Sequence, residues 1–419
     1  MKLTRRHTLG GALAASAALA APSVIGATRP RAVVIGGGAG GGTAARYIAK
    51  DSKGEVEVTL IEPSRTYYTC FFSNLYLGGF RTLDSIAHSY GKMASQGVNV
   101  VHDWATGVDR DAKEVALAGG GRVPYDRLIV APGIDFRWDS VPGYGLEWQN
   151  AMPHAWKGGS QTELLKAQLD AMPEGGLFMM VPPPNPYRCP PGPYERVSMV
   201  AHYLKANNPT AKIMVLDPKA KFSKQALFEE GWQNHYDGMV EWIDGEFATI
   251  NEVRPASMEV VVDGEAVAAD VCNVIPAQKA GHIAEVAGLT NDSGFCPIVP
   301  DTMQSQMDEN IHVLGDATIA GDMPKSGFSA NSQAKVAAMH VRAALTGSKT
   351  FPARFANTCW SLIGTDDGVK VGARYEATPE KIAKTEGFIS ATGEDAALRK
   401  QTYEESLGWY SGITADIFG

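Results

Sequence analysis

The sequence predicts an α/β protein with two doubly wound units and a mixed C-terminal region, and three observations predict it. Near the N-terminus an apolar strand, a run of glycines and a helix follow without a gap, and the next strand ends in an acid. In the middle of the chain strand and helix patterns alternate again, and near residue 313 another apolar strand presents an aspartate at its carboxyl end. Alternation of this kind is the mark of a parallel sheet covered by helices. A chain of 419 residues is long enough for two to four domains of roughly 100 to 200 residues each. Its net charge of -8 argues against a nucleic-acid binder, which needs a basic face for phosphates. Beyond the N-terminus no apolar run reaches the roughly 18 residues of a bilayer span.

Residues 1–27 carry Lys2, Arg5 and Arg6, no acidic residue, and an apolar small-residue stretch from Leu9 to Ala21 before a cleavage-like Ile25-Gly26-Ala27. That pattern reads as an export signal. The paired arginines in T-R-R-H-T-L-G resemble a twin-arginine signal, which implies export of a folded, cofactor-loaded protein to the periplasm.

The mature chain opens with R-A-V-V-I, then Gly36 to Gly42, then T-A-A-R-Y-I-A-K. Gly36, Gly38 and Gly41 fit G-x-G-x-x-G between a strand and a helix. Glycine there allows a tight turn, close approach of a pyrophosphate to the backbone, and phosphates seated on the positive end of the helix. The second strand, V-E-V-T-L-I-E, ends in Glu62, about 20 residues after the last glycine, where a carboxylate meets a ribose. This unit is a Rossmann-like dinucleotide-binding domain, and the motif alone does not separate FAD from NAD.

Two later segments point to FAD. Tyr125-Asp126-Arg127-Leu128-Ile129-Val130-Ala131-Pro132-Gly133 resembles the Y-D-x-L-I-x-A-T-G segment of flavoproteins with two dinucleotide domains, which makes Ala131 and Gly133 cofactor-binding candidates. Asn310 to Ala317 resembles their second FAD motif, with Asp316 accepting hydrogen bonds from the ribityl chain. A helix over Ser329 to Leu345 would aim its positive end at the flavin ring. The strand Gly176 to Val181 should open a second, nicotinamide-type domain, yet it continues P-P-P-N-P-Y-R-C-P-P-G-P-Y-E. Prolines lack the N–H groups that cradle a pyrophosphate and crowd its approach. The strand T-A-K-I-M-V-L-D and a helix over Val197 to Ala206 keep the α/β pattern, so the scaffold is expected without its nicotinamide site.

Five cysteines remain, and their spacing fixes no pairing. Cys70 lies in Y-Y-T-C-F-F-S-N, Cys189 in the proline frame, Cys359 in N-T-C-W, Cys272 in an apolar strand and Cys296 in a loop. Together the export signal, the FAD motifs, Y-T-C, R-C-P-P-G-P-Y-E and N-T-C-W resemble the flavoprotein subunit of flavocytochrome c sulfide dehydrogenase, a family related to sulfide:quinone oxidoreductases. The resemblance spans essentially the whole chain. It implies a fold of the FAD/NAD-linked reductase type: a discontinuous FAD-binding domain over 28–150 and 270–349, a second Rossmann-like domain over 151–269, and a C-terminal α+β flavin-side domain over 350–419. Cys70 is then expected to carry FAD through a thioether at its 8α-methyl group. Cys189 and Cys359 would form a redox-active disulfide, with Glu195 nearby as acid or base. Apart from the resemblance, residues 350–419 are rich in aromatics that would pack a face of the domain, and Trp409 among them is the candidate for touching the ring.

Hydrosulfide is a strong nucleophile toward a disulfide sulfur, which suits such a pair to FAD-dependent sulfide oxidation. The chain has no C-x-x-C-H and cannot attach haem itself, so the family implies a c-type cytochrome subunit as the electron acceptor. A structural staple between Cys189 and Cys359, a free thiol at Cys70 and a helix-start role for Glu195 are the plain alternatives. Cys272 and Cys296 read as buried small hydrophobes. None of the nine histidines has metal-ligand or triad spacing. The rival functions are a sulfide:quinone oxidoreductase, which needs an apolar membrane-facing surface, and a non-catalytic redox-sensing flavoprotein.

Overall fold

The computed structural model describes residues 29–247 and 249–419. The leader expected over 1–27 lies outside the described residues. The first sheet has six strands in the order Gln304–Ser305, Asp308–Val313, Arg127–Val130, Arg31–Ile35, Glu57–Ile61 and Val98–Val101. All its pairings are parallel except that of the short Gln304–Ser305. The strands Arg31–Ile35 and Arg127–Val130 are buried nearly end to end, as an apolar run covered on both faces must be.

The second sheet is four-stranded and parallel, in the order Val240–Ile243, Lys212–Leu216, Leu177–Val181, Val271–Val274. Its last strand lies beyond the boundary expected at 269/270. Val271–Val274 pairs in register with Phe178 to Val181, so the chain returns to the first domain only after that strand. A three-stranded antiparallel sheet, Ile250–Arg254, Glu259–Val262 and Glu265–Ala268, decorates this unit. The C-terminal region is an antiparallel sheet of Arg354–Gly364, Asp367–Ala377 and Ile382–Ile389, followed by the helix Ala396–Phe418. Among the described residues no helix is long and apolar enough to cross a membrane.

Two helices begin earlier than their sequence patterns suggest. The helix expected from Val197 runs Gly192–Asn207, because Pro193 is tolerated in a first turn whose N–H groups have no intrahelical partner anyway. The helix expected from Ser329 runs Gly327–Thr346, capped by Ser326, whose hydroxyl accepts from the Ser329 N–H at 3.0 Å.

Candidate active site

The carboxyl ends of four neighbouring strands in the first sheet gather the expected dinucleotide residues. Ile35 leads into Gly36, Gly38 and Gly41, Ile61 into Glu62, Val130 into Ala131 and Gly133, and Val313 into Asp316. Ligands of open parallel sheets bind along such an edge. The glycines are steric requirements: a Cβ on Gly41 would lie 1.8 Å from the Gly36 carbonyl oxygen, and one on Gly36, at φ +95°, would lie 2.4 Å from that of Ala131. Glu62 is buried, and its carboxylate accepts from the Gly37 N–H at 2.8 Å and the Ser64 N–H at 2.9 Å, which pins it against the glycine turn.

Asp316 carries the clearest sign of a missing polar partner. Its Oδ1 is buried without a hydrogen bond among the described residues, and its Oδ2 lies 3.9 Å from Arg188. Burial raises its carboxyl above the usual range against the pull of Arg188 and Lys325. A buried acceptor of this kind calls for a donor, and a ribityl hydroxyl is one. The glycine cradle and this orphaned oxygen both fit FAD.

Three cysteines far apart in sequence line a single pocket. Cys70, Cys189 and Cys359 share it with Glu195, Arg188, Trp360 and Trp409. Cys189 is brought there by the proline run after the strand Leu177–Val181. It takes the left-handed conformation at φ 58°, its N–H donates to the Lys325 carbonyl at 2.7 Å, and its carbonyl accepts from the Gly192 N–H at 2.8 Å. A non-glycine residue held there is strained and must be over-determined by its surroundings. Cys359 sits on the strand Arg354–Gly364, where the Asn357 amide nitrogen is 3.4 Å from its sulfur. All five thiols are free, Cys189 and Cys359 included.

Burial pushes the Cys189 thiol well up, and Cys359 and Glu195 add to the rise. Burial also raises the Cys359 thiol, against Asn357 and the cation of Lys224. Glu195 stands in the first turn of Gly192–Asn207. It accepts from the Asn74 amide at 2.8 Å and from the Leu362 N–H at 3.0 Å. Burial raises its carboxyl above the ordinary value, opposed by those two donors. The helix Gly327–Thr346 opens at the same pocket through Ser326, Gly327 and Phe328, presenting the positive end expected for it. Trp409 stacks on Trp360 with ring centroids 5.6 Å apart, and both rings line the pocket wall. The remaining thiols stand elsewhere, Cys272 on the last strand of the second sheet and Cys296 beside Thr318, both fully buried and pushed up to about 12 by burial.

Several pocket residues carried no signal that sequence reading could use. Arg196 is buried, donates to Asn74, Asn273 and the His154 and Ala155 carbonyls, and is lowered to about 9 by desolvation and Arg188. Lys224 does not line the pocket, but its ammonium donates to the Cys359 carbonyl at 3.1 Å. Arg188 had one signal, its place directly before Cys189.

Residues 30–167 match the pyridine nucleotide-disulphide oxidoreductase family. Residues 162–276 match the central domain of the sulfide dehydrogenase [flavocytochrome c] flavoprotein chain, and 351–418 the flavocytochrome c sulphide dehydrogenase flavin-binding domain. The mitochondrial sulfide:quinone oxidoreductase of Dictyostelium discoideum is 22% identical over 320 residues, covering 73% of this chain and 68% of that protein. The sulfide dehydrogenase flavoprotein chain of Chlorobaculum thiosulfatiphilum is 48% identical over 44 residues, which cover 10% of this chain and 90% of that sequence. In fold the chain is similar to the sulfide:quinone oxidoreductase structure of Aquifex aeolicus, with a TM-score of 0.71, 17% identity and coverage of 93% and 92% of the two chains.

Fold and strand-end cradle thus define a flavoprotein of the pyridine nucleotide-disulphide oxidoreductase class. Within that class, the chain belongs to the flavoproteins of flavocytochrome c sulfide dehydrogenase type, relatives of the sulfide:quinone oxidoreductases.

Proposed function

We propose that the protein oxidises sulfide in the periplasm through a Cys189–Cys359 disulfide, with FAD tethered to Cys70, and delivers the electrons to a c-type cytochrome subunit. The observation that carries this reading is the convergence of Cys70, Cys189, Cys359 and Glu195 on one pocket beside the N-terminus of the helix Gly327–Thr346. In the reaction the S–S bond between the two cysteines breaks and a new one forms between the sulfide sulfur and Cys189 Sγ. Cys359 Sγ leaves with the electron pair as a thiolate, and Glu195 takes the proton released by the persulfide. When bound, FAD supplies a two-electron acceptor that can release electrons singly. Ser326, Gly327 and Phe328 line the pocket at the start of the long helix, and the stacked rings of Phe328, Trp360 and Trp409 form an apolar wall that would keep water from the sulfurs.

Both flavocytochrome-type domain matches support a cytochrome as acceptor over a quinone. So does the last helix, which buries Tyr410, Ile413, Ile417 and Phe418 within the molecule and offers no apolar face of its own to a bilayer.

Denaturation followed by peptide mass analysis tests the tether: flavin should remain on the Cys70 peptide, and flavin released into solution would refute it. Cys359→Ser should abolish bleaching of the flavin by sulfide, and a variant that bleaches at the parent rate would refute the disulfide route. Steady-state reduction of a soluble c-type cytochrome against a short-chain quinone decides the acceptor.

A further inference from the structure

Lys224 precedes the helix Gln225–Tyr236 of the central domain, in the left-handed conformation at φ 64°. Its side chain crosses into the C-terminal sheet and is buried there. The ammonium donates to the Ser361 hydroxyl at 2.7 Å, the Cys359 carbonyl at 3.1 Å and the Val369 carbonyl at 3.4 Å. Residues two apart on a strand share a face, so a nitrogen bonded to Ser361 Oγ stands on the side of the sheet that carries the Cys359 thiol. Burial lowers the ammonium to about 8, so it keeps its charge at neutral pH, and the groups that pull it back up are Cys359, Glu195 and Cys189, in that order. All three belong to the candidate redox site.

A buried cation persists only where an anion or a set of acceptors compensates it. Here the acceptors are neutral, and the groups able to supply negative charge are the Glu195 carboxylate and the two thiols. With Cys189 and Cys359 joined, Glu195 alone is available. Once the pair opens, Cys359 becomes the anion that acts on the ammonium most strongly.

We propose that Lys224 is a positioning residue of the cysteine pair, whose fixed ammonium holds Cys359 as a thiolate when the pair opens and so makes it the leaving sulfur. This rests on the redox-pair reading above. The step balances as already written: the bond between the two cysteine sulfurs breaks, the sulfide sulfur bonds to Cys189, and the electron pair departs on Cys359 beside Lys224. The proton left on the persulfide passes to Glu195, which relieves the like charge that would otherwise face the new thiolate. The groups facing Cys359 are Asn357 of its own strand, Tyr375 of the neighbouring strand, Ser326 at the cap of the long helix, Glu195, Cys189 and Lys224. Lys224 is the cation among them.

The test reads thiol reactivity rather than turnover. In a Cys189→Ser background of the full-length, flavin-loaded protein, the rate of Cys359 alkylation by iodoacetamide is followed against pH and located by peptide mass analysis. Lys224→Gln should move the profile to higher pH by about one unit and slow alkylation near neutrality about tenfold, the scale of a nearby charge on a thiol. Lys224→Arg should restore most of the parent profile. A merely structural role would expose Cys359 and speed alkylation at every pH without moving the profile. A Lys224→Gln profile that overlays the parent, or one that Lys224→Arg does not restore, overturns the proposal. Should the glutamine variant not fold, Ser361→Ala serves instead, since it removes the anchor of the ammonium and keeps the charge. It should shift the profile in the same direction by a smaller amount, and an unchanged profile overturns the proposal again. Thiol counting in the otherwise unsubstituted protein after oxidation reports separately on whether Cys189 and Cys359 pair at all, so failure of the redox pair and failure of the lysine are distinguishable.

Discussion

Both carboxylate oxygens of Glu195 are held by donors from distant parts of the chain, the Asn74 amide and the Leu362 N–H. Two donors favour the ionised form, but burial outweighs them and the net direction is upward. Glu195 therefore protonates at a higher pH than a solvated carboxylate does. If its ionised form takes the persulfide proton, the rate must fall as pH drops through that raised value and be full above it. With rates normalised to the fraction of sulfide present as hydrosulfide, stopped-flow bleaching of the flavin should show this acid limb. Glu195→Gln should lower the plateau by about 10²-fold, the usual contribution of a positioned base, and remove the limb. A glutamine variant that keeps the limb assigns it to another group. Glu195 and the three pocket cysteines could be marked in the sequence because they stand in distinctive short contexts. Asn74, Arg196 and Lys224 could not, because a lone amide or cation has no periodic signature, and their partners lie 121, 122 and 135 positions away.

At the scale of elements, the approach of Gly192–Asn207 to Cys189 depends on the absence of one methyl group. A Cβ on Gly192 would lie 2.9 Å from Cys189 Sγ and 2.9 Å from Trp156 Cη2. Neither neighbour is free to retreat: Cys189 is held by the Lys325 carbonyl, and the Trp156 ring lies 4.9 Å from the Arg196 guanidinium. Gly192→Ala should cost about 1 to 3 kcal/mol through overpacking and reduce the fraction of Cys189 that pairs with Cys359 on oxidation, measured by melting and by thiol counting. Gly412, exposed on the helix Ala396–Phe418, meets nothing within 4 Å, and Gly412→Ala should stabilise by roughly 0.5 to 1 kcal/mol. The opposite signs separate close approach from mere helix propensity, and equal effects would contradict the steric reading of Gly192. The strands and the glycine turn of the first sheet were legible because burial on both faces writes a continuous apolar run. The boundary after the central domain was not, since Val271–Val274 reads like any strand until its partner Phe178 to Val181 is known.

Across the whole molecule, the C-terminal region is what brings Cys359 to Cys189, and it is fastened at both ends. The helix Ala396–Phe418 reaches the first domain at its end, where Ile417 packs against Gly42 and the Arg46 guanidinium donates to the Asp416 carbonyl at 3.1 Å. Near its start, buried Arg399 meets Glu230 of the central helix at 2.8 Å, Asp367 of the C-terminal sheet at 3.1 Å and Glu394 at 3.2 Å. That central helix, Gln225–Tyr236, is the one preceded by Lys224, and it also sends Tyr236 OH to the Ile363 carbonyl at 2.6 Å. One helix thus docks the central domain against the C-terminal region: the cation before its start and the phenol at its end reach the strand of Cys359, and the carboxylate in its middle reaches Arg399 of the last helix. Three carboxylates around one guanidinium make Arg399 the member whose loss leaves most charge uncompensated. Arg399→Met should cost about 3 to 5 kcal/mol, the scale of breaking a buried pair. Because the contact joins two regions rather than filling one core, the loss should appear in calorimetry as an early transition of the C-terminal region ahead of the rest. The same variant should slow closure of the Cys189–Cys359 disulfide in the reduced protein, since the two cysteines come from the two sides of that seam. A single transition at the parent temperature together with parent closure kinetics would mean that the two domains hold their cysteines in place without this network.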